Sequence, residues 1–312
     1  GFIAPLSLVV LKDNGSSNVQ SINMEALSKK ISSGENVVLF GEGGIGKTTL
    51  LLALSDLLLN AKENKIPLYI DAAYWAETDT EVFDHILSPL IASRYGFTAD
   101  QLLKLAYSGH LTLVVNGWNE IPVARKRISV KRLRKLSASS VNVVVTTREK
   151  SDTLDLDAAQ YIQVRGLTWQ SQLKVIHSEL EILSAKELIE LLAKSTRLRH
   201  STRNPLILKG LIAQARKGQV TSLCEFDLLG AVITEYEEDE QRELLLKESP
   251  LRNRHRYFLE EIACYLTSKQ GATALCDDVL PIISKVAKQL VNDGLYGSPP
   301  DPGELLDALT SR

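Results

Sequence analysis

The stretch that decides the fold is Gly41-Glu-Gly-Gly-Ile-Gly-Lys47-Thr48-Thr49. It comes after the apolar run Asn36–Phe40 (NVVLF) and leads directly into TLLLALSDLLL. It satisfies G-x-x-x-x-G-K-[ST] between a predicted strand and a predicted helix, the context in which that pattern cradles phosphate. Gly41, Gly43, Gly44 and Gly46 let the backbone take positive φ and approach an anion without a Cβ clash. The N–H groups of the loop, through Glu42 and Ile45 to Thr49, join the N-terminus of the next helix in facing the phosphates. Lys47 supplies a fixed positive charge to the β and γ phosphates, and the Thr48 hydroxyl is placed to ligate Mg²⁺.

On either side of this loop, short β-branched runs alternate with helical patterns. Residues 36–40, 67–70, 111–116, 141–146 and 161–164 read as strands, most of them continuously apolar, as strands covered on both faces are. Helical patterns lie between them at about 47–60, 80–94, 100–108 and 120–138. This alternation predicts a parallel α/β sheet with right-handed crossovers. A strand between the phosphate loop and residues 111–116 is the arrangement of the additional-strand class of P-loop NTPases. After about residue 165 the strands stop. Ser184 to Glu187 reads as a capping box, Pro205–Arg216 as a helix closed by Gly218, and Arg252–Gln270 as an amphipathic helix stopped by Gly271. A further helix starts at Asp277 or Asp278 and runs to Gly294, and a last one begins at the Asp301-Pro302-Gly303-Glu304 start signal.

Two more segments belong with the loop. In LTLVVNGWNEIP (111–122) the strand ends in Asn116, where a Walker B strand normally ends in Asp; Asn116 offers a carbonyl oxygen and no charge. Thr48 and Asn116 are therefore the candidate metal-side residues. Glu120 is the carboxylate left in the motif, a candidate to polarise water or to cap the next helix. In VNVVVTTRE (141–149) a strand ending in Thr146-Thr147-Arg148 brings polar and cationic groups toward the γ phosphate, with Arg148 as a sensor of nucleotide state. Glu120 and Arg148 are the candidate catalytic pair.

Composition narrows the class. The 312 residues suggest about two domains at roughly 150 residues each. Lys and Arg number 36 against 38 Asp and Glu, a net charge of −2, which lacks the footprint of a dedicated nucleic-acid binder. Three scattered cysteines exclude a disulfide framework and a CxxC metal site, and point to a reduced, cytoplasmic protein. No apolar run reaches the ~18–20 residues of a membrane span. Gly1, a single methionine at Met24 and the stop at Arg312 read as the ends of an excised segment.

GEGGIGKTTL, LVVNGWNEIP, VVVTTRE and RNPLIL, in this order, resemble the NACHT-type STAND ATPases, signal-transducing switches whose bacterial members serve in anti-phage defence. The match spans roughly residues 36–210. Gly117, Trp118 and Glu120 fit the family's Walker B frame, but Asn116 and Asn119 stand where it has aspartates. The resemblance implies an ATP/ADP switch with Mg²⁺ that oligomerises on activation. It implies an effector domain in the same full-length chain and an unknown trigger, a ligand or a viral protein. It implies that Pro205 packs on the adenine base. The organisation it suggests is a linker (1–30), the P-loop nucleotide-binding domain (31–165), a small helical domain (166–248) and the start of a winged-helix-like domain (249–312). With both aspartates replaced, hydrolysis should be slow while binding survives. Two alternatives stand beside this reading, a catalytically dead pseudo-ATPase scaffold and a nucleic-acid-stimulated ATPase.

The only support for nucleic acid, the less favoured partner, is RKRISVKRLRK (125–135), with seven basic side chains; a solvated helix face explains it better. The acidic run Glu235–Glu243 reads as an exposed segment, Asp71 as a strand-end cap, and Trp118 as a packing residue. The five histidines lack metal spacing. Asn64-Lys65-Ile66-Pro67 fails the guanine signature NKxD, and no transporter-type LSGGQ occurs.

Overall fold

A computed structural model of the chain describes residues 7–11, 20–60, 65–78, 80–87, 96, 98–121, 123–138, 141–150, 154, 156, 159–218, 227, 230, 234, 249–269 and 276–310. The acidic run Glu235–Glu243 and Gly271 lie outside these residues, as do residues 88–94 of the helical pattern expected at 80–94. The chain divides into two compact units, residues 1–228 and 229–312.

The first unit is built on a seven-stranded sheet of order β2-β1-β7-β3-β6-β5-β4. Its strands are β1 (Ser7–Leu11), β2 (Gln20–Ile22), β3 (Val37–Phe40), β4 (Ile66–Asp71), β5 (Leu111–Asn116), β6 (Asn142–Thr147) and β7 (Gln160–Arg165). β7, β3, β6, β5 and β4 run parallel, and β1 joins β7 and β2 antiparallel. The five strands expected from sequence are all present. Residues 1–30, expected as a linker, instead contribute β1, β2 and most of helix α1 (Met24–Ser32). β1, the short run SLVVL, finds its partner in β7 more than 150 residues away (Leu8 opposite Val164).

β5 and β6 are buried at every position because both faces are covered. Val114 and Val144 face α1 and α2 (Lys47–Leu59), packing with Leu27, Ile31, Leu50, Leu51, Leu54 and Leu58. Leu113, Val115, Val143 and Val145 face the other way. There they meet Trp75 of α3 (Ala72–Glu77), Phe83 of α4 (Val82–Ile86), Leu102 of α5 (Ala99–Tyr107) and Leu133 and Leu136 of α6 (Val123–Ala138). Helix α6 holds the basic run. It buries Ser129, Leu133, Leu136 and Ser137 at helical spacing and leaves Arg125, Arg127, Lys131, Arg134 and Lys135 exposed. Edge strand β4 accommodates Pro67, whose missing N–H would break an interior ladder.

Helices α7 (Trp169–Glu179), α8 (Ile182–Lys194), α9 (Thr196–Ser201) and α10 (Pro205–Arg216) pack around Leu188, Leu192, Leu198, Leu208 and Leu211. The capping box at Ser184 does not form. Glu181 is the extended residue that precedes α8, so Ser184 already lies inside the helix. The second unit contains α11 (His255–Ser268), α12 (Cys276–Asn292) and α13 (Pro302–Thr310), around Phe258, Ile283, Leu290 and Leu305. α11 starts later than its sequence pattern because Arg252 and Asn253 are left-handed (φ 44° and 61°). Asp301 does cap α13, accepting from Gly303 N at 2.9 Å and Glu304 N at 3.0 Å. No helix among the described residues is long and apolar enough to cross a membrane.

One half-buried group makes this packing sensitive to pH. The His85 ring stacks edge-on against Tyr74 at 5.1 Å and sits 3.2 Å from the Thr78 hydroxyl. Burial lowers its pKa, and the Asp71 carboxylate opposes only part of that shift. As pH falls below the ordinary imidazole value of about 6.5, the unfolded chain takes the proton before the folded one does, so stability declines until the folded ring titrates too. The urea midpoint should therefore drop more between pH 7.5 and 5.5 in the native protein than in His85→Gln; equal drops would refute the assignment.

Candidate nucleotide-binding site

The parallel strands deliver their C-terminal ends to one edge of the sheet, where ligands of open α/β sheets bind. β3 ends at Phe40 and the chain turns through the glycine loop into α2. Gly41 must be glycine: a Cβ there would meet the Val164 carbonyl oxygen of β7 at 2.7 Å. Its N–H donates to Thr147 O at 3.3 Å, tying the loop to β6 as well. Ile45 is buried among the α2 leucines and anchors the loop from below, while Glu42, Gly43 and Gly44 are exposed. Gly44 (φ 73°) and Gly46 (φ 96°) are left-handed, and Gly46 occupies the cap position of α2. A glycine cap offers no side chain to the N–H groups of the first helical turn, and no acidic residue sits in that turn. The result is a concave array of backbone donors at a positive helix end, with Thr48 and the exposed Thr49 at its rim. The Lys47 ammonium lies across the loop, donating to Gly41 O at 2.6 Å and Glu42 O at 2.9 Å.

Beside the loop, β5 and β6 end in a chain of hydrogen bonds. Asn116 is 5% exposed, and its Oδ1 accepts from Thr48 Oγ1 at 3.2 Å and from Thr146 Oγ1 at 3.0 Å. Thr146 Oγ1 in turn accepts from Gly117 N at 2.9 Å. Thr48 and Asn116, paired from sequence, are thus in direct contact, and Thr146 is drawn in beside them. Glu120 lies on the short turn Trp118–Glu120 just after β5. Gly117 is left-handed (φ 72°), and a Cβ on it would overlap the Glu120 carboxylate, which folds back onto this turn. Arg148 directly succeeds β6 with an exposed side chain and takes no part in the Thr48–Asn116–Thr146 chain. Trp118 is fully buried in the core, as a packing residue should be. Asp71 caps α3, accepting from Ala73 N at 3.1 Å and Tyr74 N at 3.2 Å.

The helical part of this unit reaches the loop through the start of α10. Asn204 caps that helix with its Oδ1, accepting from Leu206 N at 3.0 Å, and its Nδ2 donates to Gly43 O at 2.8 Å. Pro205 occupies the first turn of α10, where its missing N–H costs nothing. A Cβ on Gly44 would meet Asn204 Oδ1 and Leu206, each at 3.0 Å. The junction is held by buried polar groups: Thr202 Oγ1 donates to Gln172 Oε1 at 3.3 Å, and Leu167 N donates to Arg203 O at 2.7 Å. Sequence reasoning singles out Pro205 and passes over Asn204. An Asn directly before a proline that opens a helix is the signal that marks such a cap.

A divalent cation fits this donor set poorly. One hydroxyl and one neutral amide oxygen face the expected metal position, and both lone pairs of that amide oxygen already accept hydrogen bonds. Among the described residues no group of three or more His, Cys, Asp or Glu side chains could hold a metal.

The glycine loop between β3 and α2, with β6 inserted between the loop strand and β5, defines a P-loop NTPase fold of the additional-strand class. No family model matches this sequence, and no curated protein matches it. Among solved structures the chain is similar to the Aeropyrum pernix ORC1 protein in complex with DNA, with 14% identity and a TM-score of 0.48 over 92% of this chain and 91% of that one. It is similar to a STAND protein with a tetratricopeptide repeat sensor from Pyrococcus horikoshii, with 17% identity and a TM-score of 0.45. That match covers 92% of this chain and 47% of the other. It is also similar to AMPPCP-bound DnaA from Aquifex aeolicus, with 14% identity and a TM-score of 0.38 over 91% and 85% of the two chains. Strand order and the loop, rather than these distant likenesses, identify the fold.

Proposed function

We propose that this chain is the ATP/ADP-binding switch module of a NACHT-type STAND signalling protein, with weak hydrolysis. The observation that carries the reading is the contact between Asn204 Nδ2 and Gly43 O, which couples the start of the helical region to the phosphate loop itself. A phosphate entering the loop must reorganise the Lys47 ammonium, which now donates to loop carbonyls, and it does so beside that contact. Nucleotide state is thereby passed to α10, and Pro205 at its start is the residue that would pack on the adenine base. Lys47 and the loop N–H groups hold the phosphates, Thr48 faces them, and Arg148 senses the γ phosphate from the end of β6.

Hydrolysis is slow in this reading because β5 ends in an amide, leaving Glu120 as the carboxylate that could polarise water. Residues 249–312 would begin a winged-helix-like domain that stabilises the ADP state, and activation would assemble copies of the chain. The trigger would be a ligand or viral protein and the output an effector in the same full-length chain, in anti-phage defence. A switch of this kind works by differential affinity: moving from 1:99 to 99:1 takes about 5.5 kcal/mol between the two states.

Purified protein denatured with acid should release bound ADP or ATP, detected by ion-exchange chromatography, and should turn over ATP only slowly. Robust ATPase activity would sink the slow-hydrolysis part. Salt-sensitive DNA binding that stimulates turnover would favour a nucleic-acid-stimulated ATPase using the exposed basic face of α6.

A further inference from the structure

We propose that nucleotide binding at this loop is independent of divalent cation, an inference that rests on the binding reading above. A P-loop whose neighbouring strand ends in a carboxylate places that negative charge close to the incoming phosphates. A divalent cation between them is then needed to screen like charges as well as to bridge them. Here the position belongs to Asn116, buried and neutral, and its Oδ1 accepts from both Thr48 Oγ1 and Thr146 Oγ1. The chain Gly117 N–H to Thr146 to Asn116, closed from the other side by Thr48, is complete without an ion. Nothing negative in it opposes a bare phosphate.

Four carboxylates lie near these strand ends, and none of them stands at the Asn116 position; Glu42 and Glu149 are exposed to solvent. Asp71 is committed to the N-terminus of α3, and Glu120 folds back onto the Gly117 turn. On the attractive side, Lys47 and the loop N–H groups at the α2 terminus are the protein's own counter-charge. Free nucleotide and its magnesium complex therefore meet nearly equal affinity.

The test is a titration of the purified chain, stripped of nucleotide, with a fluorescent ADP analogue in excess EDTA and again in excess MgCl₂. Dissociation constants within about threefold of each other support the inference. A tenfold or greater tightening by magnesium, about 1.4 kcal/mol, overturns it while leaving nucleotide binding intact. Absence of binding in both media defeats the binding reading and this inference with it. Asn116→Asp supplies the converse. With a charge returned beside the phosphates, its affinity should fall about tenfold or more in EDTA and recover in magnesium. An Asn116→Asp protein that binds equally in both media would also overturn the inference. Circular dichroism establishes that the variant is folded, and should it fail to fold, the two titrations of the native chain decide alone.

Discussion

Lys47→Ala should abolish retention of nucleotide, weakening ATP or ADP binding by about a hundredfold or more while leaving the fold intact. A charge-assisted hydrogen bond is worth about 1.5–3 kcal/mol, and the lysine also supplies the one mobile positive charge of the loop. Its bonds to Gly41 O and Glu42 O are made at an accessible loop, so water replaces the ammonium there with little loss of stability. Calorimetric titration with ADP and a thermal melt read both quantities on one preparation. Undiminished binding would discredit the phosphate-loop assignment and everything built on it, whereas a collapse of the melt would show the loop to be structural.

At the opposite edge of the same sheet the largest effect is on stability. Asn142, 4% exposed at the start of β6, donates from Nδ2 to Ile31 O at 3.1 Å and Glu35 O at 3.2 Å. Its Oδ1 accepts from the Lys65 ammonium at 2.9 Å, and that buried lysine also donates to Ile31 O at 3.2 Å. The cation thus sits at the C-terminus of α1, where the helix dipole favours it. Asn142→Ala removes the central member and leaves two carbonyls and a buried ammonium each short of a partner. We expect a cost of about 3–4 kcal/mol, and at about 2–4 °C per kcal/mol a drop of roughly 6–16 °C in Tm. Because the network lies away from the glycine loop, the folded variant should bind nucleotide as the native protein does. A change in Tm of about 2 °C or less would mean that water satisfies these groups.

Legibility from sequence tracks burial. β3, β5 and β6 are readable within a residue because strands covered on both faces are predominantly apolar and β-branched. β1 escapes a sequence reading, since five residues with a partner more than 150 positions away carry too little local signal. α3 escapes it for a related reason: its six residues depend on the Asp71 cap, which in the sequence marks only a strand end. Ser184 misleads because a capping box and an ordinary helical Ser-x-x-Glu are the same letters, and only the extended backbone at Glu181 tells them apart. In the site, the loop and the Asn116 substitution are legible one residue at a time. The Asn204 contact and the bond that joins Thr146 to Asn116 are not, because they exist only where separate segments meet.

By itself, then, the sequence determined the phosphate loop, the strand that precedes it and the neutral end of β5. Each is local chemistry: glycine conformations, a lysine at fixed spacing, an amide in place of an acid. The tertiary structure alone decided that Thr48 and Thr146 converge on one amide oxygen and that Asn204 touches Gly43. Those contacts join residues far apart in the chain, and they are fixed by the packing of two sheet faces and a helical cluster, which no single segment encodes.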